Sequence, residues 1–143
     1  MYISIIVNCY NSEKFLKECL NSILSQSYKK FELIIWDNYS SDSTKEIINL
    51  FNDERIKIFN SEKNYGLGKA RELAVKKAKN NWVAFLDSDD VWESSKLQKQ
   101  VSYLQENKEK SLIYTDFKYI DEKSNKIDKN SYTEFYNNNF FEK

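Results

Sequence analysis

The stretch that decides the fold runs from Trp82 to Asp90 and reads WVAFLDSDD. Its first five residues are apolar, and three of the next four are the carboxylates Asp87, Asp89 and Asp90. An unbroken apolar run of this length predicts a strand that is buried on both faces, as in the parallel sheet of an α/β protein. The carboxylates would then lie just beyond the carboxyl end of the strand, where open α/β sheets bind ligands. The alternative is an acidic loop whose aspartates cap the next helix.

Composition narrows the chemistry that these carboxylates can support. The chain has 143 residues, enough for one domain or a fragment of a larger one. Its 22 basic and 22 acidic residues give a formal net charge of zero, so we expect no nucleic-acid partner and no broad attraction to anionic lipid. The chain has no histidine, which excludes Ser-His-Asp and Cys-His nucleophile systems. The groups that remain available for binding or catalysis are carboxylates, arginine, lysine, hydroxyls and a carboxylate-bound metal.

The cysteines and the chain start favour the cytoplasm. Cys9 and Cys19 lie in apolar surroundings without C-x-x-C spacing, which predicts two reduced core residues rather than a disulfide or a zinc site. No apolar run approaches the length of a membrane span, and the start lacks the pattern of a secretory signal. We therefore expect a soluble cytoplasmic protein without a transmembrane segment.

Predicted strands and helices alternate along the chain. Apolar runs predict strands at residues 3–7, 33–36, 55–59, 82–86 and 112–114, and helical periodicity lies between most of them. This alternation predicts a layered α/β domain with a mainly parallel sheet. Right-handed crossovers then bring the polar strand exits at residues 8–11, 37–38 and 87–90 to one edge of the sheet. Three polar exits at one edge predict a ligand site.

A glycine pair precedes the third predicted helix. Gly66 and Gly68 are compatible with a dinucleotide-binding loop, but the third glycine is missing and the pair does not follow the first strand. The simpler interpretation is a tight turn into a helix, whose amino end is also an anion site. Arg71 follows in the first turns of that helix and can reach a phosphate at the rim, although most helix arginines are solvated.

The last part of the chain differs in character. Residues 119–143 are rich in asparagine, lysine and aromatic residues, and we expect an irregular hairpin there rather than a second core. We therefore divide the chain into a domain at residues 1–118 and a tail, or the start of a further region, at residues 119–143. Phe140 and Phe141 near the terminus suggest that further sequence normally follows, with a docked tail as the alternative.

With these residues in hand, the chain resembles the nucleotide-sugar-binding part of a family 2 glycosyltransferase. The resemblance covers about three quarters of the chain and rests on five motifs in family order. These are IIVNCYN at 5–11, SQSYKKFE at 25–32, WDNYSSDST at 36–44, NYGLGKAR at 64–71 and FLDSDD at 85–90. The resemblance implies the GT-A fold, a Rossmann-like α/β/α arrangement with a mainly parallel sheet.

The resemblance also implies a reaction and a cofactor. Such enzymes transfer a sugar with inversion from a nucleoside diphosphate donor to a glycan or a lipid-linked acceptor, as in polysaccharide biosynthesis. The expected donor is a UDP-sugar first and a dTDP-sugar second, bound with Mn²⁺ or Mg²⁺. The resemblance assigns the DXD motif to Asp87-Ser88-Asp89, with Asp89 and Asp87 as metal ligands. The positions that it assigns to the nucleotide-sugar pocket are Asn8, Tyr10, Asp37, Asn38, Arg71, Asp87 and Ser88.

Two features depart from the family pattern. The usual Asp-Asp-Gly-Ser motif here reads Asp37-Asn38-Tyr39-Ser40, which weakens the inference of uridine, although an amide at Asn38 can still read a pyrimidine edge. The general base of the family is expected beyond residue 143. A non-catalytic nucleotide-binding fragment is therefore the alternative to an active glycosyltransferase. Peripheral attachment to the inner face of the membrane and a homo-oligomer both remain open.

Overall fold

The computed structural model describes residues 1–127. By its internal contacts the chain divides into two compact units, residues 1–109 and residues 110–143. The first unit holds the sheet and its helices, and the second holds a short hairpin in its described part. The division falls a few residues before the predicted boundary at residue 118, which stays a prediction.

Four parallel strands and four helices build the first unit. The strands are β1 (Ile3–Cys9), β2 (Phe31–Asp37), β3 (Ile56–Asn60) and β4 (Trp82–Asp87). The helices are α1 (Leu16–Leu24), α2 (Thr44–Asn49), α3 (Leu67–Val75) and α4 (Lys96–Glu106). The sheet order is β3-β2-β1-β4, and each neighbouring pair is parallel. This arrangement confirms the predicted α/β class with a parallel sheet.

The register aligns the carboxyl ends of the three longest strands. Cys9 at the end of β1 pairs with Asp37 at the end of β2, and Asn8 pairs with Asp87 at the end of β4. Because the strands are parallel, their exit loops emerge at the same edge of the sheet. The predicted common rim is therefore present, with β1 in the middle.

The main core lies on the face of the sheet that carries the odd-numbered residues of β1. Helix α1 presents Leu16, Cys19, Leu20 and Ile23 to this face, and this i, i+3, i+4, i+7 spacing makes one apolar stripe. Helices α2 and α4 cover the same face. Cys9 and Cys19 are buried free thiols, as predicted. Burial raises the pKa of Cys19 to about 12 and that of Cys9 further still.

One helix, α3, covers the opposite face. Its Ala70 and Ala74 are buried against Ile6, Ile34 and Trp36 of the two central strands. Alanines at i and i+4 let the helix axis approach the sheet closely, because neither side chain extends beyond its Cβ. The result is a three-layered α/β/α unit, and α3 delivers Arg71 towards the carboxyl edge.

Two local predictions were wrong. The stretch at residues 82–86 is not buried on both faces, because β4 is the edge strand of the sheet and Phe85 is 46% exposed. Residues 112–114 form no strand, and Leu112 and Tyr114 are largely exposed. Both errors have one cause: an apolar run records a local preference, whereas burial depends on which elements pack beside it.

The described part of the second unit is a hairpin, as predicted for this region. Its strands are β5 (Tyr119–Ile120) and β6 (Lys126–Ile127), paired antiparallel. Asp121 organises the turn, since its carboxylate accepts hydrogen bonds from the backbone N–H groups of Lys123 and Asn125. The prediction for Phe140 and Phe141 lies outside the described residues.

Candidate functional site

Three exit loops form the carboxyl edge and are joined by side-chain hydrogen bonds. The N–H of Asn11 after β1 donates to Ser40 Oγ after β2 at 3.0 Å, and the N–H of Ser41 donates back to Asn11 Oδ1 at 2.9 Å. The hydroxyls of Ser12 and Ser88 are 2.8 Å apart and join the β1 exit to the β4 exit. The exits of β2, β1 and β4 therefore form one connected rim.

A second set of bonds fixes the first two loops to each other. The N–H of Glu13 donates to Asp42 Oδ2 and the N–H of Ser43 donates to Glu13 Oε2, each at 3.0 Å. Thr44 Oγ1 accepts from the N–H of Ser12 at 2.8 Å. Sequence reasoning did not foresee these three pairings, because the partners lie about thirty residues apart and no local spacing signals them.

Arg71 reaches the rim, as the sequence predicted. Its Nη2 lies 2.5 Å from Asp87 Oδ1, and its guanidinium carbon lies 5.9 Å from the centre of the Phe85 ring. The two side chains are 37% and 56% exposed, so the pair is open to solvent and contributes little to folding. Arg71, predicted to bind the phosphates, and Asp87, predicted to bind the metal, are thus in direct contact.

The acidic loop after β4 carries two further carboxylates. Asp89 is exposed, and no hydrogen bond or ion pair engages its carboxylate among residues 1–127. Asp90 is exposed as well, and partial desolvation of its carboxyl, followed by the negative charges of Asp89 and Asp87, raises its pKa. Like charges at this spacing favour a cation between them.

The donor set fits a divalent metal. Mg²⁺ is usually held through one or two carboxylates together with substrate phosphates, rather than by an all-protein cage. In the described part of the chain no three acidic or cysteine side chains converge on one metal position. Asp89 and Asp87 can nevertheless supply the one or two carboxylate ligands that such a site requires.

Asp37 is fully buried at the end of β2. Its Oδ1 accepts a hydrogen bond from the N–H of Ser40 at 3.1 Å, and its Oδ2 lies 3.6 Å from Lys45 Nζ. That Oδ2 is buried and has no hydrogen-bond partner. Asp37 therefore shapes its own exit loop, and its predicted contact with a nucleotide stays a prediction.

Asn38 is also buried, and its amide is fully engaged. Its Nδ2 donates to Asn64 Oδ1 at 3.1 Å and to the carbonyl of Tyr65 at 2.7 Å. Its Oδ1 accepts from the N–H of Tyr65 at 3.2 Å. Ser61 Oγ lies 3.5 Å from the same oxygen but donates its hydrogen to the carbonyl of Lys63 at 2.7 Å. These bonds hold the β3–α3 loop, which leads to Arg71. The predicted contact of Asn38 with a pyrimidine stays untested, and its bridging role was not foreseen.

The remaining predicted pocket residues differ in whether their polar groups already have hydrogen-bond partners. Tyr10 is 51% exposed at the β1 exit. Asn8 Nδ2 is buried without a partner, as is Nε1 of its strand neighbour Trp36, so two unused donors lie side by side. The hydroxyl of Ser88 is committed to Ser12. Of these three residues, Tyr10 and Asn8 keep polar groups that no residue in the described range engages.

Gln26 anchors the loop that carries the acids. Its side chain is fully buried behind the rim, and its Nε2 donates to the carbonyls of Ser22 at 3.1 Å and Glu93 at 2.9 Å. Its Oε1 accepts from the N–H of Leu97 at 3.1 Å. Gln26 thus ties the end of α1 to the segment between the acidic loop and α4. Sequence reasoning placed Gln26 in the motif at 25–32 but did not predict this anchor.

Comparison with known proteins relates this geometry to a family. A family model described as Glycosyl transferase family 2 matches residues 4–143. The Escherichia coli protein UDP-Glc:alpha-D-GlcNAc-diphosphoundecaprenol beta-1,3-glucosyltransferase WfgD is 38% identical over 122 residues, which cover 85% of this chain and 48% of that protein. The chain spans about half the length of the curated relatives it matches.

Solved structures share the fold. The structure of residues 1–349 of Staphylococcus aureus TarS in complex with UDP-GlcNAc matches with a TM-score of 0.71 and 36% identity, covering 74% of this chain and 32% of that one. The mannosyltransferase PcManGT from Pyrobaculum calidifontis, in complex with GDP-Man and Mn²⁺, matches with a TM-score of 0.66 and 25% identity, covering 71% of this chain and 32% of that one. No helix within residues 1–127 is long and apolar enough to cross a bilayer.

Proposed function

Because the chain belongs to glycosyl transferase family 2, we propose that it binds the nucleoside diphosphate of a sugar donor at its carboxyl rim. The donor is a UDP-sugar first and a dTDP-sugar second. The observation that carries the proposal is the contact between Arg71 and Asp87, with the unengaged Asp89 two residues further on. A guanidinium suited to phosphate and carboxylates suited to a divalent metal are thereby brought together.

The donor preference is supported by the related proteins. TarS was solved with UDP-GlcNAc, and WfgD is named for UDP-Glc and a diphosphoundecaprenol-linked acceptor. We therefore propose a glycan or a lipid-linked saccharide as the acceptor. In the whole protein, the acceptor hydroxyl would lose its proton to a general base as its oxygen bonds to the sugar carbon. The bond between that carbon and the diphosphate would break in the same step, with inversion.

Each proposed contact follows from the position of a residue on the rim. Asp89 and Asp87 would hold the metal, and Arg71 would pair with phosphate oxygens in a charge-assisted, bidentate manner. A bound Mn²⁺ or Mg²⁺ supplies positive charge that offsets the charge building on the leaving diphosphate. Asn8 and Tyr10, with free capacity at the β1 exit, would contact the nucleoside.

Calorimetric titration of the 143-residue chain tests the proposal. UDP, dTDP, CDP and GDP are titrated with Mn²⁺ and again with EDTA. We expect UDP to bind with Mn²⁺ and to weaken in EDTA. The Asp89→Asn variant should raise the Kd for UDP in Mn²⁺ by at least about tenfold, because a charged ligand is lost while its size is kept.

Glu106→Gln serves as the matched control. Glu106 is an exposed acid at the far end of α4, roughly 16 Å along that helix from its start near the rim. The Glu106→Gln variant should bind UDP with the same Kd as the wild type. A chain that binds none of the four nucleotides would refute the proposal, and unchanged binding in EDTA and in Asp89→Asn would refute its metal component.

Turnover separates an active enzyme from the alternative, a non-catalytic nucleotide-binding fragment. UDP release from UDP-Glc is measured with and without a GlcNAc-diphospholipid acceptor. Acceptor-dependent release would establish sugar transfer by this chain. Binding of UDP without acceptor-dependent release would support the alternative, a non-catalytic nucleotide-binding fragment.

A further inference from the structure

Tyr39 has a backbone conformation that suits few residues. Its φ is 73°, in the left-handed region, where residues other than glycine are uncommon and bulky residues are especially so. Asn11 on the neighbouring loop has a φ of 49°, but asparagine tolerates this region far better than tyrosine does. Glycine would adopt the Tyr39 conformation without strain. The ring at this position is therefore maintained against a local conformational cost.

The packing of the fold does not explain the ring. The Tyr39 side chain is 56% exposed. It has no hydrogen bond, ion pair or ring contact with any residue in the described range 1–127. Strain at a largely exposed side chain with no hydrogen bond, ion pair or ring contact in the described range favours a contact with something outside the fold.

The loop that carries Tyr39 is held firmly on both sides. The preceding Asn38 is anchored by three side-chain hydrogen bonds, and the following Ser40 bonds to Asp37 and to Asn11. Asn11 in turn follows Tyr10, the other exposed tyrosine of the rim. Two solvated aromatic rings thus stand on adjacent exits, those of β2 and β1.

The order of the strands separates the rim into two ends. The metal-binding acids and Arg71 belong to the β4 side, whereas Tyr39 lies after β2, two strand spacings or roughly 10 Å away. A nucleoside diphosphate whose phosphates lie at the β4 end therefore directs its base across β1 towards β2. Tyr10 and Tyr39 are the exposed rings at that end.

We propose that Tyr39 is a nucleobase-binding residue whose ring stacks on the base of the bound nucleoside diphosphate, beside Tyr10. The inference rests on the proposed function and adds a residue to its site. Every base offers a π-face, so stacking raises affinity without selecting one base. Tyr39 should therefore strengthen the binding of UDP, dTDP, CDP and GDP by a similar factor.

The test compares three substitutions by calorimetry with UDP and Mn²⁺. Tyr39→Gly removes both the ring and the strain, and it should raise the Kd by about 5- to 100-fold without lowering the melting temperature. Tyr39→Asn keeps a residue suited to the left-handed region and should lose as much affinity. Tyr39→Phe keeps the ring and should bind within about twofold of the wild type. Tyr103→Ala, which removes an exposed ring from α4, is the control and should bind normally.

The outcomes distinguish this inference from the function on which it rests. Wild-type affinity in Tyr39→Gly or in Tyr39→Asn would overturn the stacking role while leaving the proposed function intact. A loss in Tyr39→Phe as large as that in Tyr39→Gly would also overturn it, since the hydroxyl rather than the ring would then be responsible. A wild-type chain that binds none of the nucleotides would overturn both.

Discussion

Replacing Gln26 by methionine should destabilise the first unit and loosen the acidic loop together. Methionine keeps the length of the side chain but removes the two donated hydrogen bonds and the accepted one. A buried hydrogen bond contributes about 1 kcal/mol net, and the N–H of Leu97, in the first turn of α4, has no partner within its helix. We therefore expect Gln26→Met to lower the free energy of unfolding by about 3 kcal/mol.

Urea unfolding measures this change, provided that the denaturant slope m is the same in both proteins. Because Glu93 lies three residues beyond Asp90, loss of the anchor should also raise the Kd for UDP in Mn²⁺ severalfold under conditions where the variant is folded. Gln98→Met is the matched control. Gln98 is exposed on α4, so its variant should remain within about 0.5 kcal/mol of the wild type.

A second variant checks the reasoning from the opposite direction. Gln26→Glu keeps the acceptor for Leu97 but sets a buried carboxylate against the carbonyls of Ser22 and Glu93. Burial raises the pKa of such a carboxyl, so protonation on acidification restores a donor and should narrow its stability gap to the wild type. Wild-type stability in Gln26→Met at unchanged m, or a gap in Gln26→Glu that widens with acid, would refute the anchoring role.

Three further predictions test separate features of the first unit. The hydrogen bond from Arg55 holds the pKa of Asp53 at about 2, so its stabilisation is complete above about pH 4 and is lost as the pH falls through 2. In urea unfolding, Asp53→Asn should show a loss of about 1 kcal/mol at pH 7 and a much smaller loss at pH 2. Cys9 and Cys19 should react with a thiol reagent only when urea unfolds the protein, since burial raises the pKa of both, and a fast-reacting thiol in the native state would contradict this. Asn38→Asp removes two buried donors and should lower the free energy of unfolding by about 2 to 3 kcal/mol in urea, whereas unchanged stability would show that the amide is not needed.

Much of the fold follows from the sequence, because its elements have clear periodicities. The apolar stripe of α1 and the β-branched run of β1 each specify one element and the face that it buries. Alternation of such elements leaves few topologies besides a parallel sheet with right-handed crossovers. The common rim then follows without knowledge of any side-chain contact.

Strand β4 shows where this reasoning stops. Its apolar run is as continuous as that of β1, yet β1 is central and β4 is at the edge of the sheet. The order of strands is set by long-range pairing, which the local sequence of Trp82 to Leu86 does not encode. Phe85 is 46% exposed for this reason, although its type and its neighbours predict burial.

The candidate site, too, has features that the sequence predicts and features that depend on long-range contacts. The residue types at the strand exits predict carboxylates and an arginine at the rim, and the structure brings Arg71 to Asp87. The bonds that order the rim join residues far apart in the chain, such as Ser12 with Ser88 and Asn38 with Tyr65. No spacing rule connects such positions, so the two buried amides, Asn38 and Gln26, became apparent only in the folded chain.

The two departures from the usual Asp-Asp-Gly-Ser motif explain each other in energetic terms. A tyrosine in the left-handed region costs about 1 to 2 kcal/mol relative to glycine, and the loop would relax unless it were held. Asn38 holds it with an amide that donates twice, which the carboxylate of the usual aspartate cannot do. Three hydrogen bonds at about 1 kcal/mol each offset the strain at Tyr39. The amide and the ring therefore form a pair: Asn38 holds the β3–α3 loop, and the loop fixed in this way gives Tyr39 a rigid position from which its ring can meet the proposed base.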